Sequence, residues 1–421
     1  MNRVVVIAII LVILFLIDIY VYQAISHVMR NVSSTWQTVA KTVYWVITGA
    51  AFIAILHYNF GDPDLWKGSS RSIVFTAIFI VYFSKVFAGL FLVVDDLIRL
   101  GKWVARIFES GGSSVSEGQT ITRSEFLTKS ALIAGTVPLL TMTYGIVSGA
   151  HDYRIRRKTI HLPNLPEDFD GLTIAQISDI HSGSFFNKTA VQGGVDMLIS
   201  EKPDMVFFTG DLVNNETSEV RDYIPIFGKI KAPLGVYSVT GNHDYGDYRS
   251  WSSQKEKQQN FEDLKEAHKL MGYDLLMNEN RILGKEGSKI AIIGVENWGA
   301  GRFSTYGDID KAYSGSEEAA VKLLLSHDPS HWDAQVRPKY PDVDITFAGH
   351  THGFQFGVEW GDFRWSPAQY AYKQWAGLYT KENQHLYVNR GYGYIGYPGR
   401  IGIPPEITIL TLKRGSNAIM S

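Results

Sequence analysis

The chain contains no cysteine. That absence excludes disulfides, thiolate nucleophiles and Cys-ligated zinc together, so a bound metal must be held by His, Asp, Glu or Asn. It is compatible with either side of a membrane. An excess of charge of one sign is also missing: 40 Lys and Arg stand against 42 Asp and Glu, a formal net charge of -2. A nucleic-acid partner is therefore not expected, because phosphate-backbone affinity needs concentrated basic residues. At 421 residues the chain is too long for one ordinary core, and at least two structural units are expected.

What is present divides near residue 150. Before it, Val4 to Tyr22, Thr42 to Tyr58, Ile73 to Val94 and Ala131 to Val147 are apolar stretches of about the 20-residue length that crosses a hydrocarbon core. Four such stretches predict a multi-span helical membrane domain over residues 1–150, rather than one cleaved export signal. Lys85 lies mid-span, where a charge must snorkel or find a partner; Asp18 of the first span is the candidate. Glu109 to Gln119 reads as a flexible Gly/Ser linker. The run Thr122-Arg123-Ser124-Glu125-Phe126-Leu127-Thr128-Lys129 resembles a twin-arginine export signal, with Ser124 where the second Arg would stand. Lys and Arg divide evenly between the two sides of the four spans. The export-like run and the basic third loop favour a cytoplasmic third loop, which places residues 151–421 outside the cytoplasm.

From His151 onward the composition is that of a soluble domain. Five apolar runs each end in a metal-binding side chain. They are Leu172 to Ser178 before Asp179-Ile180-His181, Met205 to Thr209 before Gly210-Asp211, and Val236 to Thr240 before Gly241-Asn242-His243-Asp244. Val321 to Ser326 precedes His327, and Val343 to Ala348 precedes Gly349-His350-Thr351-His352. Helix-length polar segments such as Thr189 to Glu201 and Gln254 to Met271 separate some of the runs. The pattern predicts α/β architecture with strands buried on both faces, whose carboxyl ends are where ligands collect.

Phosphoester hydrolysis asks for such a set. Two divalent metals about 3.5–4 Å apart neutralise the phosphoryl oxygens and lower the pKa of a shared water, and a bridging carboxylate must hold them. Asp179 and His181 can bind one metal. Asp211, following a glycine, suits the bridge, and Asn242, His327, His350 and His352 complete the ligand set. Mixed N and O ligands favour Mn, Fe or Zn. His243, between a ligand and Asp244, is the expected proton donor to the leaving oxygen, with the Asp244 carboxylate holding the imidazole.

The series Asp-Ile-His, Gly-Asp, Gly-Asn-His-Asp, His, Gly-His-Thr-His resembles the calcineurin-like metallophosphoesterase superfamily, over about Leu162 to Leu412. Gly171 to Gly183, Leu323 to Pro329 and Pro405 to Leu412 resemble its bacterial membrane-tethered branch, which includes lipid-processing enzymes similar to UDP-diacylglucosamine hydrolases. The resemblance implies a four-layer α/β/β/α sandwich. It also implies one metal on Asp179, His181, Asp211 and His352 and another on Asp211, Asn242, His327 and His350. The implied protein is a membrane-anchored binuclear phosphoesterase that cleaves a phosphodiester or pyrophosphate in a lipid or cell-envelope substrate, by attack of a metal-bridging hydroxide. The alternatives are a phosphomonoesterase acting on protein or nucleotide, and a non-catalytic sensor of phosphorylated ligands.

Aromatic residues crowd Phe354 to Tyr379 without strict alternation or helical period, which leaves core packing and a loop in the bilayer interface both open. Tyr392 to Pro398, near Arg390 and Arg400, reads as a Gly-rich turn or one wall of a substrate cleft. His151, His161, His268, His331 and His385 are expected to be structural, and Glu296 and Asn297 at most to line the cleft.

Overall fold

The structure is a computed structural model that describes residues 2–62, 69–108, 123–285, 288–301, 303–361 and 363–415. The chain forms two compact units, Met1–Tyr144 and Gly145–Ser421.

The first unit is helical: α1 (Arg3–Val28), α2 (Ser34–Phe60), α3 (Ser69–Phe108) and α4 (Arg123–Val147), the last of which continues into the second unit. All four are long and apolar enough to cross a membrane, over Arg3–Asn31, Ser34–Phe60, Ile73–Ala105 and Thr128–His151. Leu16, Val46, Ile53 and Leu90 are among many large apolar side chains they expose, the pattern of helices solvated by lipid. Lys85 does find Asp18: its Nζ lies 2.5 Å from Oδ1. The carboxylate also accepts hydrogen bonds from Tyr82 (2.8 Å) and Thr48 (3.1 Å), so α1, α2 and α3 meet at one buried polar node. The linker expected at Glu109 to Gln119 lies outside the described residues, as does Thr122; Arg123 to Lys129 form the start of α4.

In the second unit the strands are β1 (Arg154–Leu162), β2 (Thr173–Ile177), β3 (Met205–Phe208), β4 (Val236–Ser238), β5 (Asp274–Leu275), β6 (Glu279–Lys285) and β7 (Ser288–Gly294). They continue with β8 (Val321–Leu325), β9 (Ile345–Ala348), β10 (Val358–Trp360), β11 (Phe363–Trp365), β12 (Gly377–Lys381), β13 (Gln384–Val388) and β14 (Glu406–Arg414). Two six-stranded sheets form, in the orders β1-β14-β2-β3-β4-β5 and β12-β13-β9-β8-β7-β6, and β10 and β11 make a separate hairpin. All five apolar runs are strands: β2, β3 and β4 run parallel in one sheet, β8 and β9 in the other.

Alternation along β3 shows why these runs carry no charge. Met205 and Phe207 pack with Ile174 and Leu410 against Ile292, Leu323 and Phe347 of the opposite sheet. Val206 and Phe208 instead meet Val195 and Leu198 of the helix Lys188–Ser200 and Leu264 and Met271 of the helix Gln254–Met271. A third cluster around Trp332, Val336 and Ile309 covers the outer face of the second sheet. The result is a four-layer α/β/β/α sandwich.

The aromatic segments divide. Trp375, Tyr392 and Tyr394 are buried, while Ile395 and Tyr397 are half-buried and Gly396 is exposed; Arg400 is also buried. Its guanidinium is satisfied by the carbonyls of Arg390, Gly391 and Gly393, and its Nη2 lies 3.3 Å from His352 Nδ1. No strict alternation runs through the whole stretch, but between 354 and 360 burial alternates locally. Phe354, Phe356, Val358 and Trp360 face solvent, while Gln355, Gly357 and Glu359 turn inward.

Candidate metal centre

The carboxyl ends of β2, β3, β4, β8 and β9 deliver their side chains to one place. Asp179, His181 and His352 form one group and Asp211, His327 and His350 a second, the potential ligand atoms of each lying within 4.8 Å of one another. Asp211 Oδ2 touches both, at 3.5 Å from His181 Nε2 and 3.1 Å from His327 Nε2. Asn242 adjoins them. The backbone N–H of the next residue, His243, donates to Asp211 Oδ1 (2.8 Å), and Asn242 Oδ1 is buried without a hydrogen-bond partner.

The backbone is bent to make this convergence. Asp179, His181, Asp211, His350 and His352 all have φ between 48° and 70°, the left-handed region that costs a non-glycine residue of order 1–3 kcal/mol. Surrounding hydrogen bonds hold them there: Asp179 N–H donates to Gly210 O (2.9 Å), and His350 N–H donates to the Asp179 carboxylate (3.0 Å). Two glycines permit the close approach. A Cβ on Gly241 would sit 2.3 Å from Asp211 Oδ1, and one on Gly349 2.2 Å from Asp179 Oδ2.

The donor set fits divalent cations. His181 Nε2 and His352 Nε2 face each other at 3.0 Å, and His350 Nδ1 faces His327 Nε2 at 3.3 Å, so ring nitrogens converge as they do around a shared cation. His327 Nδ1 is 2.7 Å from the carbonyl of Thr209; donating its proton there leaves Nε2 free for a metal. Burial opposes a charge on His327, yet Asp211 and Asp179 outweigh it and push its pKa up to about 10. Burial also opposes charge on the two aspartates, but the facing imidazoles hold both below the usual carboxylate range. Anionic carboxylates this deeply buried demand positive charge, and a metal supplies it in place of the proton.

His243 is held differently from expectation. Its Nδ1 lies 2.7 Å from the carbonyl of Asn214, and its ring packs tilted against Tyr248, with centroids 4.5 Å apart. The neighbouring Asp244 carboxylate turns away and accepts the backbone N–H groups of Asp211 (2.9 Å), Leu212 (2.8 Å) and Gly241 (2.8 Å). It braces the loops that carry Asp211 and Asn242 instead of the imidazole.

Several contributors carried no sequence signal. Asn214 acts through its backbone, and Phe303 packs edge-on against His350 at 4.8 Å. Tyr372 OH is 2.8 Å from His350 Nε2, and Asp328 Oδ2 is 3.6 Å from the same nitrogen. Asp328, directly after His327, was the one readable in principle. Among the expected structural histidines, His268 and His331 are buried against Ser238 and Ser326.

Residues 2–150 match the family described as "Probable Calcineurin-like phosphoesterase, transmembrane domain", and residues 172–354 match "Calcineurin-like phosphoesterase". The chain is 30% identical over 267 residues to "Uncharacterized metallophosphoesterase YkuE" of Bacillus subtilis (strain 168), covering 62% of this chain and 86% of that protein. It belongs to the calcineurin-like metallophosphoesterases. A second relative, "Transmembrane protein with metallophosphoesterase domain" of Danio rerio, is 29% identical over 388 residues, 88% of this chain and 80% of that protein. A third, "UDP-2,3-diacylglucosamine pyrophosphatase LpxG" of Chlamydia muridarum (strain MoPn / Nigg), is 27% identical over 308 residues, 62% of this chain and 87% of that protein. This metallophosphoesterase is thus a metal-dependent phosphoester hydrolase and a multi-pass membrane protein.

Proposed function

We propose that this membrane metallophosphoesterase cleaves a phosphodiester or pyrophosphate of a lipid or cell-envelope precursor, with two divalent cations, Mn, Fe or Zn, and with residues 151–421 as an extracytoplasmic catalytic domain. The observation that carries the two-metal reading is the position of Asp211, whose one carboxylate oxygen lies within 3.5 Å of an imidazole from each ligand group. Asp179, His181 and His352 would hold one cation with Asp211, and Asn242, His327 and His350 would hold the other with the same Asp211 carboxylate. When bound, the cations neutralise the phosphoryl oxygens and lower the pKa of a shared water.

The chain's own residues do the rest. His243, its Nδ1–H engaged by the Asn214 carbonyl, would act as the imidazolium, giving its Nε2 proton to the leaving oxygen and reverting to the neutral ring. Asp244 keeps the Asp211 and Asn242 loops in register. Tyr248 OH accepts from Asn242 Nδ2, and Phe303 and Tyr372 border His350. The lipid reading is supported by the printed activity of the Chlamydia relative and by the four spanning helices, which keep the domain within reach of lipid.

The test is turnover by the full chain in detergent, stripped of metal and titrated with Mn, Fe or Zn. A bis-aryl phosphodiester, a lipid pyrophosphate and an aryl monoester are compared. Metal-dependent cleavage of the first two, lost in Asp211→Asn, is expected. Preference for the monoester would move the protein to the phosphomonoesterases.

A further inference from the structure

We propose that the aromatic ridge of residues 354–361 and 363–365 is a bilayer contact of the second unit, its side chains seated at the lipid headgroup level beside the metal centre. The inference does not depend on which phosphoester is hydrolysed.

The hairpin is two-faced. Its register pairs Val358 with Trp365, Glu359 with Arg364 and Trp360 with Phe363, so the four apolar residues share one face and the two charged residues the other. The charged face is fastened to the body. Glu359 pairs with Arg390 (2.6 Å) and with Arg156, and Arg364 Nη1 donates to the carbonyl of Ala376 (2.5 Å). The apolar face is bare: Trp360 is 85% exposed, Phe363 61% and Val358 50%. Strands of three residues gain nothing from displaying such side chains to water, and a contiguous apolar patch of this kind marks an interaction surface.

Lipid is the occupant that the local covalent structure supplies. Within the second unit, the base of the ridge is tied to the end of α4. Phe356 bridges Ile401, and the adjacent Arg400 N–H donates to the carbonyl of Gly145 (3.1 Å), inside the candidate span Thr128–His151. The ridge therefore stands a few residues from the point where the chain leaves the hydrocarbon. Its composition suits that level, since Trp and Tyr concentrate at membrane–water interfaces; Tyr370 (79% exposed) and the exposed Lys373 extend the same surface. The ridge is also rigidly joined to the metal centre. Ser366 Oγ donates to the carbonyl of Gly353 (2.7 Å), the residue between His352 and Phe354. Seating the ridge in lipid thus sets the height of the ligand cluster above the bilayer.

The absence of cysteine makes the test clean. The full chain carrying Trp360→Cys, Phe363→Cys or, on the helix Gln254–Met271, Lys269→Cys is labelled with a polarity-sensitive fluorophore. Each is reconstituted in nanodiscs of phosphatidylcholine and phosphatidylglycerol. At 360 and 363 we expect blue-shifted emission, strong quenching by doxyl-labelled lipid and shielding from aqueous iodide, with the reverse at 269. Iodide quenching at 360 and 363 equal to that at 269 would overturn the proposal. So would shielding from iodide without quenching by doxyl lipid, which would assign the ridge to a protein contact such as a second copy.

Discussion

His243 Nδ1 lies 2.7 Å from the carbonyl oxygen of Asn214, a backbone group 29 positions earlier, while the carboxylate next to it in sequence points elsewhere. A carbonyl can only accept. It therefore keeps the proton on Nδ1 in the neutral ring and leaves Nε2 as the nitrogen open to proton exchange in the proposed reaction.

If Nε2 protonates the leaving oxygen, His243→Ala should lower turnover by about two to four orders of magnitude. The metal content of the purified protein should not change, because the ring belongs to neither ligand group. Metal analysis alongside single-turnover kinetics checks both halves. Full activity in the variant would remove His243 from the chemistry.

Asp244 should behave differently although it is the next residue. Asp244→Ala strands the N–H groups of Asp211, Leu212 and Gly241 in a buried setting, at about 1–3 kcal/mol for each donor left unsatisfied. Thermal stability and metal affinity should fall together. A variant of normal stability and metal content that had lost only turnover would show that the carboxylate acts on the proton donor after all.

In the membrane unit, Asp18→Ala strands the Lys85 ammonium and the Tyr82 hydroxyl, with an expected cost of about 3–5 kcal/mol. Lys85→Met should cost less, because Tyr82 and Thr48 still donate to the carboxylate. The double variant Asp18→Ala/Lys85→Met should be more stable than the sum of its single changes predicts. Thermal unfolding in detergent measures the cycle, and strict additivity would mean that the pair is not coupled.

The sandwich and the ligand cluster were legible because both depend on side chains. A strand such as β3, with Met205 and Phe207 facing one core and Val206 and Phe208 another, must be apolar at every position. Its end is then marked by Thr209 and Gly210, and Asp211 of the ligand cluster follows directly. What depends on backbone groups left no trace in sequence. The Asn214 carbonyl that holds His243 is one case, and the carbonyls that bury Arg400 are another. The sequence left core packing and bilayer contact both open for the aromatic segment because Gln355 and Gly357 do not announce an inward face as charges would. Its true alternation emerges only once Glu359 is seen paired with Arg390.

His268 gives the chain a built-in sensitivity to acid that is separate from its metal ligands. The ring is fully buried, with Nδ1 2.9 Å from Ser238 Oγ and Nε2 without a partner, and burial pushes its pKa down to about 3. Above about pH 6.5 the ring is neutral in both folded and unfolded chains and contributes no pH dependence. As the pH falls below that value the unfolded chain takes up a proton that the folded chain refuses. Stability is then lost by up to about 1.4 kcal/mol per pH unit until the folded pKa is reached. His268→Leu removes this titration, while leaving the protonation of the metal ligands common to both proteins. Thermal unfolding of the two in detergent between about pH 6.5 and 4.5 should therefore give a shallower decline for the variant. Parallel curves would mean that the folded protein accommodates the charged ring, and that His268 is not as enclosed as its packing against Phe208 and Tyr273 makes it.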